Sequence, residues 1–487
     1  MNQQIENSKL HGLRRIAEIL VYLFAAECVF GGSGRLLSIG GISIRMILFA
    51  LAFCATAPFA ILKWKELLRN PTIIAAVVLG VAVVVSTGIG LLNGNAFGFI
   101  WADISSFLTL ALLPGMFAVM DEEKKLHKLL DVVFYASVAV AAVTTALHIG
   151  LAWMDDVTIN LVNDWINARS LGGFAMLATH INRVYFRAQI FLQFSILIGV
   201  WKLWATKAIA KRIVLFLCEG LMLFAVIASY TRSFWIGFAL SAVVVLFLEW
   251  KNWKKLFSTA AIALALMVAI AGISTVCYGQ PYVFVEIVNR FDSDLIVLSA
   301  DVPEETAPNP GTETVPSETE EVVVPVETEP VDTTMPTEEI DIVAEANENA
   351  VNMRKDSLAA LNKNIAEHPI MGSGLGTNLD GVREDGKTEY MYQDLMMKMG
   401  LIGLIVFAIA YFMTSVIHVF RRMKTITKDL SWQDSLVLNS FIVAGYIGVA
   451  VTSAFNPFLT TPMGILLLII TNLSVMQKKN ASQDENQ

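Results

Sequence analysis

Apolar residues in this chain come in long uninterrupted runs, and that pattern excludes most folds before any motif is considered. A helix that crosses a bilayer needs roughly 20 apolar residues in succession. Twelve runs approach or meet that length: 16–34, 44–64, 72–92, 97–120, 129–153, 184–204, 212–229, 233–250, 256–278, 399–420, 435–455 and 461–476. Over 487 residues, 55% are hydrophobic and only 16% charged. That balance is too apolar for a soluble domain of this size. The expected fold class is all-α, a polytopic membrane protein of about twelve transmembrane helices.

One interruption is long. Residues 279–398 separate nine spans (1–278) from three (399–476), and 477–487 form a short tail. Between Phe291 and Met353 there are 17 Asp and Glu and no Lys or Arg, so the formal charge of -8 becomes +9 once that tract is set aside. The stretch 300–345 is rich in Pro, Thr, Val and Glu. It cannot bury enough surface to offset its ordering entropy, so disorder is expected there. From 353 to 398 the pattern changes. Leu358, Leu361 and Ile365 recur at helical spacing, Pro369 stops the helix, and Gly372, Gly374 and Gly376 permit a tight turn. A second helix is expected from about Thr388 into the tenth span.

Short basic connections fix the orientation. Arg14/Arg15, Lys63/Lys65/Arg69, Lys124/Lys125/Lys128, Lys207/Lys211/Arg212, Lys251/Lys254/Lys255, Arg421/Arg422/Lys424/Lys428 and Lys478/Lys479 all fall on one side when twelve spans are counted. Both termini are then cytoplasmic in the cell membrane and 279–398 is extracytoplasmic. The cytoplasmic connections are too short for a nucleotide-binding domain, and nothing suggests nucleic acid as a partner. Asn160–Ile166, in a second outer loop, forms an amphipathic piece suited to the membrane surface. Cys28, Cys54, Cys218 and Cys277 lie in or beside apolar runs without metal-ligand or disulfide spacing and are expected as small buried hydrophobes.

Outer positive charge runs against the orientation rule and needs a reason. Arg183 and Arg187 sit at the outer end of the sixth span, spaced to share a helical face. Arg232 stands in a short connection after Tyr230-Thr231. Arg35, Arg45 and Arg169 are outer as well. An isolated arginine there snorkels to lipid phosphate. Arg183, Arg187 and Arg232 together suit a bound phosphate-bearing anion, because guanidinium forks match phosphate oxygens. Two groups could move a proton. His368 also suits a helix C-terminus, and Glu389 suits a first helical turn. Glu389, just above the membrane, fits a general base facing arginine partners. Glu27, Asp103 and Glu219 fall within spans with no evident basic partner. Asp292-Ser293-Asp294 resembles a metal-binding acid pair but lies outside the cell. Gly372 to Gly376 follows a helix rather than a strand, so it is no dinucleotide fingerprint.

These features, in this order, resemble the O-antigen ligase/polymerase superfamily of bacterial membrane glycosyltransferases. The resemblance rests on the Tyr230-Thr231-Arg232-Ser233 turn and on a large loop with an Arg354-led helix. It also rests on His368-Pro369-x-x-Gly372-x-Gly374-x-Gly376, and on Tyr392 ahead of Gly400-Leu401-Ile402-Gly403. It covers about 213–420. It implies a GT-C-like fold and metal-independent transfer or polymerisation of glycan from an undecaprenyl-pyrophosphate carrier to a polysaccharide or other acceptor. No cofactor is implied; the partners are the carrier-linked glycan, its acceptor, the lipid bilayer and envelope-assembly proteins. Arg183 or Arg187 and Arg232 would hold the pyrophosphate, and Tyr230, Tyr392 and Arg354 would contact substrate. Glu389, or else His368, would take the proton. Where better-known ligases carry a histidine base, this chain has Glu389. The competing expectations are a flippase for lipid-linked oligosaccharide and an inactive scaffold for envelope assembly.

Overall fold

Continuous apolar stretches leave the backbone no water to bond to, so the chain satisfies itself as helix. The structure, a computed structural model, describes residues 2–32, 34, 36–39, 42–177, 182–279, 281, 283–288, 337–379, 388–427 and 434–476. The first half comprises α1 (Asn2–Phe30), β1 (Ser38–Ile39), β2 (Ile42–Ser43), α2 (Ile44–Leu62), α3 (Trp64–Leu67), α4 (Pro71–Leu92), α5 (Phe97–Phe107), α6 (Leu112–Val119) and α7 (Glu123–Gly150). Next come α8 (Asp156–Ala168), β3 (Gly172–Met176), β4 (Asn182–Phe186), α9 (Gln189–Ala205), α10 (Ile209–Ile227), α11 (Arg232–Leu248) and α12 (Trp253–Tyr278). After the long tract follow α13 (Thr337–Glu367), α14 (Met391–Thr427), α15 (Asp434–Thr452) and α16 (Pro462–Met476).

Eleven of the twelve expected spans fall on a helix or a helical run, and the sixth, 184–204, starts in β4 and becomes helical from Gln189. Six runs are long and apolar enough to cross a bilayer, and α9, α11, α15 and α16 are shorter apolar helices. The chain is therefore a helical, multi-pass membrane protein. Two small antiparallel hairpins, β1–β2 and β3–β4, were not foreseen. Helices that are apolar all round belong at the centre. In α9 every residue from Gln189 to Val200 is buried, and in α16 every residue from Met463 to Val475. Around them α2, α4 and α12 turn leucine, isoleucine and valine outward. The most extensive helix–helix packing is α11 on α15, with α9 against α15.

Several expectations need correction. Glu27 and Asp103 do have basic partners. Arg45 Nε donates to Glu27 Oε2 at 2.5 Å, and Lys398 Nζ to Asp103 Oδ1 at 3.1 Å. Both partners lie far along the sequence or beyond a turn, where local reading does not find them. Glu219 stays unpartnered among the described residues. Of the cysteines only Cys28 is buried; Cys54 is exposed on the outer surface of α2, and Cys218 and Cys277 are half-buried. Helix α13 begins at Thr337, so 337–345 is helical rather than disordered. The rest of the acidic tract, Asp292–Asp294, Arg35 and the tail 477–487 lie outside the described residues.

At the end of the bundle that carries the basic connections, ion pairs staple the helices. Arg422 grips Glu249 through two hydrogen bonds of 3.0 and 2.7 Å. Asp121 takes Lys63 at 2.8 Å and also Arg14. The opposite end, where α13 sits, is called the loop face below.

Candidate active site

The turn between α10 and α11 sets Arg232 at the start of α11. Chain direction reverses here within four residues, Ala228 to Thr231, and that requires an unusual backbone. Tyr230 is buried with φ of +45°, a conformation that costs a non-glycine residue of order 1–3 kcal/mol and concentrates at functional sites. Thr231 caps α11, which places Arg232 at its first position. A helix N-terminus carries partial positive charge. Arg232 adds a full one beside it.

The β3–β4 hairpin brings a second arginine to the same turn. Val184 N–H donates to the carbonyl of Ala228 at 3.4 Å. Arg183 Nε donates to the carbonyl of Ser229 at 2.7 Å and Nη2 to Thr231 Oγ1 at 2.9 Å. Its guanidinium also lies 4.9 Å from the ring centre of Tyr185. The hairpin is held from behind. His148 Nδ1, at the end of α7, is 3.2 Å from the carbonyl oxygen of Asn182, and Tyr278 Oη donates to the carbonyl of His148 at 2.7 Å.

Arg183 and Arg187 do not share a helical face, as the sequence pattern suggested. The sixth span starts at Gln189, and Arg183 lies on β4. Arg187 is exposed in the following turn, where its N–H donates to Leu171 O at 2.8 Å. The hairpin register pairs Arg183 with Ala175.

Helix α15 links the turn to the other expected residues. Thr452 Oγ1 donates to the carbonyl of Ser233 at 3.0 Å, and its hydroxyl also meets Gln193 Oε1 at 2.9 Å. Two residues earlier, the carbonyl of Ala450 accepts from Tyr392 Oη at 2.9 Å. The Arg232 turn and Tyr392 therefore flank the same last turn of α15. Just beyond that turn, Asn456 Nδ2 donates to Ser233 Oγ at 3.2 Å, and Phe458 packs on Phe234 with ring centres 5.8 Å apart.

Glu389 precedes Tyr392 by three residues. Its Oε2 accepts from Arg354 Nε at 2.9 Å, which joins α13 to the start of α14. The arginine facing Glu389 in this contact is thus Arg354, which stands in the middle of α13 and does not lead it, because the helix starts at Thr337. His368 closes α13; its N–H donates to Asn364 O at 3.1 Å, and its carbonyl accepts from Gly372 N at 3.1 Å. Its imidazole is on an exposed residue.

The glycine-rich element after His368 is a clamp. Ser373 and Gly374 donate their N–H groups to Met397 O at 2.8 Å and Lys398 O at 3.0 Å. Leu375 N–H reaches Ser86 O on α4 at 3.0 Å, and Asn93 and Asn95 donate back to Ser373 O and Leu375 O, each at 2.9 Å. Contact this close needs missing side chains. A Cβ on Gly374, whose φ is +91°, would stand 2.2 Å from the nitrogen of Gly90. Gly400 has φ of +66° and breaks α14 there, so that Leu401 N–H reaches Pro369 O at 2.9 Å. Asp103 completes the clamp, accepting Gly376 N–H at 2.8 Å on one oxygen and Lys398 on the other. Lys398 also bonds Asp394 at 3.0 Å.

Sequence reasoning missed Thr452, Gln193 and Asn456, whose polar side chains meet Ser233 or its neighbours from elements far away in the chain. The one available signal was polarity inside or beside an apolar run.

Residues 219–408 match the protein-family model described as O-antigen ligase. The match runs from the middle of α10 through the Arg232 turn, the loop and the clamp into α14; the hairpin that bears Arg183 lies before it. The similarity to that family thus extends over 190 of the 487 residues. No curated protein matches the chain.

Proposed function

We propose that this protein transfers or polymerises glycan from a lipid pyrophosphate, of the undecaprenyl type, at the extracytoplasmic leaflet. The observation that carries the reading is the hydrogen bonding of Arg183 into the turn that begins at Ser229 and ends at Arg232. The Arg183 guanidinium bonds the turn that sets Arg232 at a helix N-terminus, and that combination attracts anions. A diphosphate on a lipid tail can reach it from the bilayer.

The chemistry asks little more. The acceptor hydroxyl oxygen forms a bond to the anomeric carbon of the carrier-linked sugar. The bond from that carbon to the pyrophosphate oxygen breaks, and the electron pair leaves with the diphosphate. Arg183 and Arg232 stabilise the charge that grows on the departing group, a preorganised electrostatic role. Glu389 accepts the hydroxyl proton, with Arg354 orienting its carboxylate. The reaction needs neither nucleotide nor metal ion, because the diphosphate is already an activated leaving group. Tyr392, whose hydroxyl donates to the carbonyl of Ala450, would contact the substrate in this reading.

The test is incubation of purified protein with a carrier-linked oligosaccharide, with products sized by gel or mass spectrometry. A ladder identifies a polymerase. A single discrete transfer to a second acceptor identifies a ligase. Movement of carrier across vesicles without any new glycosidic bond would replace the proposal with a flippase.

A further inference from the structure

Helix α8 has two apolar faces, and only one is used inside the protein. Ile166 is buried, and Asn163 on the same side accepts the N–H of Phe174 through Oδ1 at 2.7 Å, so this face is seated on β3. The second apolar stripe is Val157, Leu161 and Trp165, each four residues after the last, which keeps them on one side of a helix. They are 68, 67 and 49% exposed. Between the faces runs a polar edge of Asn160, Asp164 and Asn167.

The surroundings identify what covers the stripe. Trp153, 70% exposed, ends the membrane-crossing run that contains α7, and α8 starts three residues later. The stripe is thus continuous with the lipid-facing surface of that run. At its far end, the Arg169 guanidinium lies 4.2 Å from the ring centre of Trp165, and Arg169 Nη1 donates to the carbonyl of Trp165 at 3.3 Å. Tryptophan with a cation beside it is the pairing favoured at headgroup depth. The acidic residues, Asp155 and Asp156 in the first turn and Asp164 on the polar edge, give no attraction to anionic lipid. Apolar insertion is left as the driving force.

We infer that α8 lies in the extracytoplasmic headgroup layer with Val157, Leu161 and Trp165 inserted toward the acyl chains, and that it sets the height of the Arg183 hairpin. The linkage is short: α8 packs on β3, β3 pairs with β4, and β4 carries Arg183. A helix floating at the headgroup boundary holds that guanidinium level with lipid-borne phosphate. Setting the height of the hairpin rests on reading Arg183 as a diphosphate ligand; the depth of α8 is measured without substrate and stands or falls separately.

The test uses the full chain in zwitterionic phosphatidylcholine nanodiscs, with its four cysteines replaced and one nitroxide label at Leu161→Cys or Asn160→Cys. Power-saturation EPR compares access to oxygen with access to a water-soluble nickel chelate. The expected result is a label at 161 that is oxygen-rich and nickel-poor, a label at 160 open to nickel, and no change when anionic lipid is added. Equal nickel access at both sites, or a label at 161 closed to both reagents by a second copy or another protein surface, would overturn the assignment. For the second half, Leu161→Glu is expected to raise KM for carrier-linked glycan by roughly tenfold with kcat nearly unchanged, as misplacement of a binding group does. An unchanged KM in a variant whose label has left the bilayer would overturn the positioning role alone.

Discussion

Two polar clusters on the loop face are built to opposite rules. In the glycine clamp, the cation is paired: Lys398 lies between Asp103 and Asp394, 3.1 and 3.0 Å away, and is only 3% exposed. Its backbone partners interlock through glycines that tolerate no Cβ. At the arginine turn, Arg183 bonds the carbonyl of Ser229 and the hydroxyl of Thr231, and Arg232 is the next residue in the chain after Thr231. A strained tyrosine stands between them. The first cluster has settled its electrostatics internally. The second brings Arg183 onto a strained turn that ends at Arg232. Backbone strain of this kind concentrates at functional sites rather than in scaffold.

The sharpest way to break this contrast is to attack the clamp. Gly374→Val places side-chain atoms where Gly90 already lies and asks valine for a positive φ. The variant is expected to lose most of its folded yield in detergent, read by size-exclusion chromatography. Lys398→Met leaves two carboxylates facing each other at low exposure. Removing one partner of such a buried network costs about 3–5 kcal/mol, seen as a large fall in Tm, and adding Asp103→Asn should recover part of it. Normal unfolding of both variants would mean that the clamp does not hold the loop.

The arginine turn should answer in the other currency. Arg183→Ala and Arg232→Ala are each expected to lower glycan transfer by about 10²–10³-fold, the usual loss for one preorganised charge donor, with Tm almost unchanged. Arg183→Lys should also fail in large part, because an ammonium cannot serve the Ser229 carbonyl and the Thr231 hydroxyl with the same planar fork. A fall in Tm matching that of Lys398→Met would reclassify the turn as scaffold.

Glu389 and Arg354 test the boundary between the two. Their ion pair is partly exposed, Arg354 by 55% and Glu389 by 28%, so its worth to stability is about 0–1 kcal/mol. Glu389→Gln should therefore barely shift Tm while abolishing transfer. Arg354→Gln should be milder, since the carboxylate remains but loses its orientation. Retained activity in Glu389→Gln would remove the carboxylate from the chemistry and leave the arginine turn untouched.

The spans were legible because period and length are properties of single segments. Tyr230-Thr231-Arg232 was legible as an outer cation where the orientation rule disfavours one. The hairpin was not. Residues 184–186 continue the apolar run of α9 with only Arg187 interrupting it, so Arg183 looked helical when it lies on β4. Pairing between distant elements was equally hidden. Nothing near Asp103 in sequence points to Lys398, and nothing near Ser233 points to Thr452 or Asn456. Glycine spacing gave away a tight turn but not its partner, because the contact is made by Ser86 and Gly90 of α4.

The basic end of the bundle supplies the weakest effect and a reference for the other two. Burial alone would raise the Asp121 carboxyl, but hydrogen bonding to Lys63 and the charges of Lys63, Arg14 and Lys125 hold it below the ordinary value. A carboxyl lowered on folding adds stability above its unfolded value, and that stability disappears as pH falls through the folded one. Wild-type Tm should accordingly drop as the medium is acidified below the usual carboxylate range, and Asp121→Asn should flatten that drop slightly. The side chain is 35% exposed, so solvent screens the pair and added salt should shrink the difference further. Salt should leave the Lys398→Met effect nearly intact, since Lys398 is almost fully enclosed. Thermal unfolding across pH and salt for the two variants thus separates a solvent-screened staple from a buried one. Equal salt sensitivity in both would show that water reaches the clamp, and the buried-pair account of that cluster would fail.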